Sequence, residues 1–254
     1  MQLFNLTGKT ALVTGSSSGL GLGMARGLGQ AGAHIILNSR SPERLVQPTQ
    51  NLEKEGITIS SLVFDVSNET AVLEAFRALD ENKVIVDILV NNAGINHREH
   101  IADLALVDWQ RIIDTNLTSA FIVGREAGKR MLKRNRGGKI INIGSLTSAA
   151  ARAGIAPYTA AKGGIKMLTQ AMAAEWAEHN IQINAIGPGY MATELTRVLA
   201  EDQKFDSWMK ARTPARRWGT PQDLAGTAIF LASTASDYIN GQIIYVDGGL
   251  LAVM

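Results

Sequence analysis

Short apolar runs recur along the chain at regular intervals, with helical patterns between them. Residues 9–14 (KTALVT), 33–38 (AHIILN), 58–64 (TISSLVF), 87–91 (DILVN), 139–143 (KIINI), 181–186 (IQINAI) and 242–246 (QIIYV) predict seven strands. Continuous aliphatic runs of this length suit parallel strands buried on both faces. Ser41-Pro42-Glu43 predicts a helix start, with a capping serine, a proline at the first helical position and an acid in the first turn. Ser67 predicts the cap of a helix running to about residue 79, and Thr220-Pro221 the start of another. The two longest helical patterns cover residues 106–133 and 158–178. Strand and helix alternate from end to end, with no linker, repeat or low-complexity tract. That alternation implies an α/β fold: a single Rossmann-like domain over residues 1–254, with a doubly wound parallel sheet of seven strands flanked by helices. Residues 190–219, rich in helix formers with Pro214 near their end, interrupt the alternation and predict a lid over the substrate.

Composition narrows the chemistry. The 254 residues contain no cysteine, which removes disulfides, thiol nucleophiles and cysteine-ligated metals. A net charge of +2 with no run of like charges offers no footprint for nucleic acid. No basic and apolar leader opens the chain, and no apolar run approaches the roughly 18 residues of a membrane span. The expectation is a soluble protein of a reducing compartment, the cytoplasm, with no membrane partner. Charged residues make up 19% of the chain, below the usual value of about 25%, which predicts surface covered by other subunits.

Glycine is unevenly placed, with eight of 25 before residue 33. The segment Gly15-Ser16-Ser17-Ser18-Gly19-Leu20-Gly21 leaves the first strand and opens a helix. Backbone N–H groups at such a turn bind a pyrophosphate, and positions without side chains let it approach. The same residues also spell G-x-S-x-G, a nucleophile elbow, but no oxyanion loop precedes it and His179 is the sole late histidine for a triad. Where a site for NAD usually carries an acid at the end of the second strand, this chain reads Asn38-Ser39-Arg40. A serine hydroxyl and a planar guanidinium suit a ribose 2′-phosphate, so NADP(H) is preferred and NAD(H) possible.

Tyr158 and Lys162 stand four residues apart and so share a helix face. A cation beside a phenol favours its ionised form, and such a tyrosine can exchange a proton with a substrate hydroxyl. Ser145 follows the fifth strand directly, at the carboxyl edge where open α/β sheets bind ligands, and can hold a carbonyl oxygen there. Asn116, in the preceding long helix, opens a water path or supports Lys162. Arg98 and Arg152 flank this constellation, and arginine grips carboxylates in bidentate fashion, which predicts an anionic substrate. His97 and His100 beside Glu99 could suggest a metal, but read as ordinary polar loop residues, so no metal is expected.

The glycine turn, Asn91-Asn92-Ala93-Gly94, Asn116, Ser145, Tyr158 with Lys162, Pro188-Gly189 and Asp247-Gly248-Gly249 together resemble the short-chain dehydrogenase/reductase family over nearly the whole chain. Leu20 stands where that loop often carries isoleucine. The resemblance implies an NAD(P)-dependent alcohol dehydrogenase or ketone reductase that needs no metal. It implies Tyr158 as general acid and base, Lys162 as its partner and ribose holder, Ser145 as carbonyl orienter and Asn116 as holder of a relay water. Gly15, Ser17, Ser18, Gly19, Leu20 and Gly21 would surround the pyrophosphate, with Ser39 and Arg40 at the 2′-phosphate and Asp65-Val66 at the adenine. Asn91, Ala93 and Gly94 would line the ribose side, and Pro188, Gly189, Met191 and Thr193 the nicotinamide side. The substrate would meet Arg98, Ser145, Arg152 and Tyr158. The stretches NNAGINHRE, NIQINAIGPGYMATELT and RTPARRWGTPQDL resemble the sugar-acid branch, whose members often carry an acid where this chain has Ser39-Arg40. That branch implies gluconate and 5-ketogluconate as the leading pair, with oxidation at carbon 3 of 2-deoxygluconate as an alternative. Two further alternatives are a 3-oxoacyl carrier-protein reductase, docking on Arg130, Arg134 and Arg136, and a nucleotide-binding regulator without chemistry. The family resemblance also implies a homotetramer, with the tail 250–254 buried at a contact.

Overall fold

The computed structural model describes residues 2–254, the side chain of Leu195 excepted. The elements run β1 (Thr10–Val13), α1 (Gly19–Gln30), β2 (His34–Ser39), α2 (Glu43–Lys54), β3 (Ile59–Val63), α3 (Glu69–Glu81), β4 (Ile88–Asn91), α4 (Leu106–Ile113), α5 (Ser119–Arg134), β5 (Gly138–Ile143), α6 (Ala156–Trp176), β6 (Ile181–Pro188), α7 (Arg197–Glu201), α8 (Gln203–Arg212), α9 (Pro221–Ala232) and β7 (Ile243–Val246). The strands form one parallel sheet in the order β3-β2-β1-β4-β5-β6-β7. The chain winds outward from β1 to β3, then crosses back to place β4 on the other side of β1. Loops leaving β1 and β4 therefore diverge, and a crevice opens at their carboxyl ends.

Two apolar layers hold the sheet. One packs Met24, Leu28, Leu224 and Leu231 against one face, and the other packs Phe76, Val123, Ile122 and Met172 against the opposite face. In α1 the glycines serve this packing. A Cβ on Gly23 would lie 2.4 Å from Pro221, and one on Gly27 2.6 Å from the Ala225 Cβ, so α1 and α9 meet only because both positions are bare. Glycine costs a helix about 1 kcal/mol per residue relative to alanine, so α1 draws its stability from that contact rather than from propensity.

Several boundaries differ from expectation for local reasons. The outer strands are not buried on both faces: Ser60, Ser61 and Val63 of β3 are exposed, and β7 is half-buried throughout, because each is an edge. Ser41 does not cap α2. Its hydroxyl bonds the Glu43 carboxylate, and the helix starts at Glu43 after Pro42. Asn68 rather than Ser67 caps α3, accepting from the Ala71 N–H at 3.1 Å, while the Ser67 hydroxyl donates to Asp65 Oδ1 at 2.6 Å. The long pattern 106–133 is two α-helices joined by a π-turn at Asp114–Thr118. No helix among the described residues is long and apolar enough to cross a membrane.

Candidate active site

The turn after β1 is sewn to its neighbours by side chains that sequence reasoning passed over. Asn38 Oδ1 accepts the Gly15 N–H at 3.2 Å, and the Asn38 N–H donates to Ser16 Oγ at 2.9 Å. Asn92 Nδ2 donates to the carbonyls of Thr14 and Gly15, at 2.9 and 3.1 Å. Thr14 Oγ1 accepts from the N–H groups of Asn92 and Ala93, at 2.9 and 3.1 Å. A polar residue closing an apolar strand, as Asn38 does in AHIILN, is the signal that could have found this brace. Gly15 has φ +60°, and a Cβ there would stand 2.9 Å from the Ala93 Cα, so the turn needs glycine on both counts. Ser18 precedes α1 without a side-chain cap, which leaves the helix's first N–H groups free for an anion.

A groove of about 610 Å³ runs from this turn across the sheet edge. It is lined by Gly15, Ser17, Ser18, Gly19 and Leu20, by Ser39 and Arg40, by Asp65 and Val66, and by Ala93, Gly94 and Thr193. The bare glycine cradle, the free helix N-terminus and the cationic far end fit a dinucleotide. Arg40 is mostly exposed, its guanidinium 3.9 Å from Asp65, and Arg44, one helical turn on, lines the same end. Arg44 was missed because nothing in its local sequence marks it. Five expected residues do not line the groove: Pro188 and Gly189, which border the cavity described below, and Gly21, Asn91 and Met191. Gly21 packs beneath the turn, where a Cβ would lie 2.6 Å from the Gly15 carbonyl oxygen. Asn91 is buried and its amide bonds the Ala120 carbonyl and Asn142 Oδ1, at 3.2 and 2.9 Å, so Asn92 takes its place against the turn. Met191 is buried, a partner of Gly219 in an isolated bridge, with its sulfur where a Gly219 side chain would stand.

Three of the four expected catalytic side chains, Asn116, Tyr158 and Lys162, line this groove, and Ser145 reaches Tyr158 from the adjoining cavity. Tyr158 and Lys162 lie on one face of α6, the lysine Nζ 5.6 Å from the tyrosine ring centre. Lys162 Nζ donates to the Ile143 carbonyl at 2.7 Å, and burial pulls its pKa down to about 8. Burial also pushes the Tyr158 phenol up, an effect only partly offset by a hydrogen bond with Ser145. In the chain without its cofactor, burial therefore sets the direction for both groups, against the phenol's ionised form and against the ammonium. Ser145 starts a short turn whose Ser148 hydroxyl accepts the Ser145 N–H at 3.2 Å and donates to the Lys162 carbonyl at 2.7 Å. That bond ties the serine to the helix carrying the tyrosine. Asn116 sits in the π-turn, a distortion frequent at functional sites. Its Nδ2 donates to the carbonyls of Ile112 and Ile95, both at 2.9 Å, and its Oδ1 accepts the Ile95 N–H at 3.1 Å. It braces the loop after β4 and makes no direct hydrogen bond to Lys162.

A second, smaller cavity of about 160 Å³ opens on the other side of Tyr158. Ser145, Pro188 and Gly189 line it, so the last two face this cavity and not the groove. Arg98, Arg152 and Arg212 also line it, and no acidic side chain does among the described residues. Arg98 is held below the usual arginine range by burial of part of its side chain, then by the like charge of Arg152. Arg212, at the end of α8, was not expected. Among the described residues Tyr158 alone lines both spaces. His97 lies 4.0 Å from Asp108, and no cluster of three or more metal-ligating side chains occurs among the described residues.

A family model described as enoyl-(acyl carrier protein) reductase matches residues 15–251, and curated relatives exceed 40% identity over nearly the full chain. The chain belongs to the short-chain dehydrogenase/reductase family. As a member it is an NAD(P)-dependent alcohol dehydrogenase or ketone reductase. The gluconate 5-dehydrogenase of Gluconobacter oxydans is 46% identical over 248 residues, 98% of this chain and 96% of that one. The 2-dehydro-3-deoxy-D-gluconate 5-dehydrogenase of Bacillus subtilis is 47% identical over 249 residues, 98% and 97% of the two chains. A crystal structure of a gluconate 5-dehydrogenase from Burkholderia cenocepacia, in complex with NADP and tartrate, superposes with a TM-score of 0.96 at 44% identity, covering 100% and 99%. In this short-chain dehydrogenase/reductase Tyr158 stands between a dinucleotide-sized space and a small cationic one.

Proposed function

We propose that the protein transfers a hydride reversibly between NADP(H) and a sugar acid, with gluconate and 5-ketogluconate as the leading pair. The observation that carries this reading is the position of Tyr158 between the groove and an arginine-lined cavity with no acidic side chain among its described lining residues. The nicotinamide supplies or accepts the hydride. The chain does the rest. Ser145 orients the carbonyl or hydroxyl oxygen, and Tyr158 gives that oxygen a proton in reduction and takes one in oxidation. A phenol pushed up by burial is protonated at neutral pH, which suits the reductive direction directly. Lys162 steadies the phenolate and the ribose, and Asn116 holds the relay side open. Arg98 and Arg152 take the carboxylate. Cofactor choice follows from the end of β2, where Ser39, Arg40 and Arg44 stand with no acid on that strand. The NADP complex of the Burkholderia relative supports the same preference.

A second sugar acid, 2-dehydro-3-deoxygluconate, is favoured by the Bacillus relative, at 47% identity against 46% for the gluconate enzyme; both relatives are named for carbon 5, not carbon 3. The carrier-protein alternative loses support. Arg130 is engaged by Asp80 and Glu126, and Arg134 by Asp87 and the Gly137 carbonyl, so two of the three arginines expected to dock a carrier are already engaged. We further propose that residues 190–219 act as the substrate lid, and that the enzyme is a cytoplasmic homotetramer. Exposed Leu106, Val107 and Met167 on the long helices are candidates for the contact, and light scattering tests it. The deciding experiment is a turnover panel of gluconate, 5-ketogluconate, 2-deoxygluconate, 2-dehydro-3-deoxygluconate and a 3-oxoacyl thioester with both cofactors. Turnover of a sugar acid with NADP(H) is expected. Turnover of the thioester alone overturns the reading, and inactivity on everything favours the regulator.

A further inference from the structure

The segment between β6 and α9 carries four aromatic rings that gather into one cluster. Tyr190 stands edge-on to Phe205 at 5.4 Å and to Trp218 at 5.8 Å, and Phe205 lies 5.3 Å from Trp208. Arg152 belongs to a different part of the chain, the loop between β5 and α6, yet it docks on this cluster. Its guanidinium carbon sits 4.8 Å from the centre of the Phe205 ring, and its Nη1 donates to the Tyr190 hydroxyl at 3.3 Å. Among the described residues no acid lies within ion-pair distance of Arg152.

We propose that Tyr190 and Phe205 are positioning residues that hold Arg152 for the substrate carboxylate, so that seating α8 and recognising the anion become one event. The inference rests on the sugar-acid reading above. Arg152 is an exposed side chain that shares a cavity with the like-charged Arg98, and among the described residues its only side-chain hydrogen bond is the one to Tyr190. A carboxylate partner would fix it, but would also occupy the N–H fork that the substrate needs. An aromatic face makes no such demand. The ring contacts the flat face of the guanidinium and leaves its edge free, and the phenol takes only one of five N–H donors. Because both rings come from the segment after β6, Arg152 is aimed into the cavity only while that segment is seated.

The test is a double-mutant cycle on the NADP-loaded enzyme with gluconate. Tyr190→Phe removes one hydroxyl and is expected to raise KM about threefold to tenfold, the worth of a single hydrogen bond. Phe205→Leu keeps apolar bulk but removes the ring face, and is expected to raise KM about threefold. In both, kcat and the Kd for NADP(H) stay within about twofold, the split that distinguishes a positioning role from a disordered segment. Arg152→Met alone raises KM tenfold or more, on the order expected for losing a charged hydrogen bond. In that background the two ring substitutions should have no further effect. Equal KM increases with and without Arg152 overturn the inference while leaving the sugar-acid reading intact, as does an unchanged KM in both single variants. Failure of the wild-type enzyme to turn over any sugar acid overturns the reading and this inference with it.

Discussion

The groove and the cavity that meet at Tyr158 are built by opposite means. The groove is made by backbone: a bare turn, an uncapped helix start and carbonyls pinned by Asn38 and Asn92, all between strands paired in register. The cavity is made by side chains that reach in from four separate segments, with Arg98, Ser145, Arg152, Tyr190 and Arg212 among them. A backbone site tolerates little change in shape and recognises what all dinucleotides share. A side-chain site changes its selectivity by single substitutions, which suits the part of an enzyme that distinguishes one hydroxy acid from another.

Tyr158 belongs to both sides, so its removal separates chemistry from binding. Tyr158→Phe should lower kcat by about 10² to 10⁴, the usual worth of general acid–base catalysis. The Kd for NADP(H), measured by fluorescence titration, should stay within about twofold. Retained turnover removes the tyrosine from its assigned role, and a collapse of both constants means that the two spaces are not separable. Gly15→Ala breaks the backbone half alone. The left-handed conformation costs a non-glycine residue about 1–3 kcal/mol, and the new methyl would press on Ala93, so cofactor affinity should fall about tenfold to a hundredfold. At saturating cofactor the KM for the acid should not change. A matching rise in that KM would show that the cavity leans on the groove after all.

The same division governs what could be read from the chain. All seven strands lie within two residues of the predicted runs. The inner five do so because a parallel strand buried among others must be written as a continuous apolar stretch, and the edge strands β3 and β7 because their aliphatic residues still face the helix layers. The glycine turn and the Ser145, Tyr158 and Lys162 set were legible because spacing along one strand or helix fixes them. Asn91 and Asn92 were not distinguishable, since adjacent residues leaving a strand point to opposite sides and only the sheet decides which meets Gly15. Arg44, Arg212 and the ring cluster around Arg152 were invisible for a different reason. They act through partners far along the chain, and local pattern carries no trace of that pairing. The π-turn around Asn116 likewise hides inside an unbroken helical pattern.

Arg40→Asp tests the end of the groove away from Tyr158, where side chains rather than backbone choose the cofactor. It should weaken NADP(H) by about tenfold or more through loss of a charged contact, and leave NAD(H) equal or better. Ordinary Kd measurements with both cofactors suffice. Equal losses would place the 2′-phosphate elsewhere, with Arg44 as the next residue to change.

The smallest effect concerns the buried lysine that lines the groove beside Tyr158. In the folded chain Lys162 is pulled down to about 8 from 10.5, so between those values the unfolded chain holds a proton that the folded one does not. Stability then rises with pH across that window, since it increases wherever the unfolded state binds more protons. The raised Tyr158 phenol acts with the opposite sign, but only near and above its own ordinary value of 10.0. Lys139, also lowered by burial, adds a slope of the same sign as Lys162, yet it is common to any pair of variants that keep it. The difference between wild type and Lys162→Met therefore isolates the one group. Urea midpoints of the cofactor-free protein at pH 7.5 and 9.5, values chosen to be about on either side of the lysine's pKa, should diverge less in the variant than in the wild type. Identical slopes would mean that the ammonium is solvated as fully as in the unfolded chain, and that Tyr158 works in a wetter place than its burial suggests.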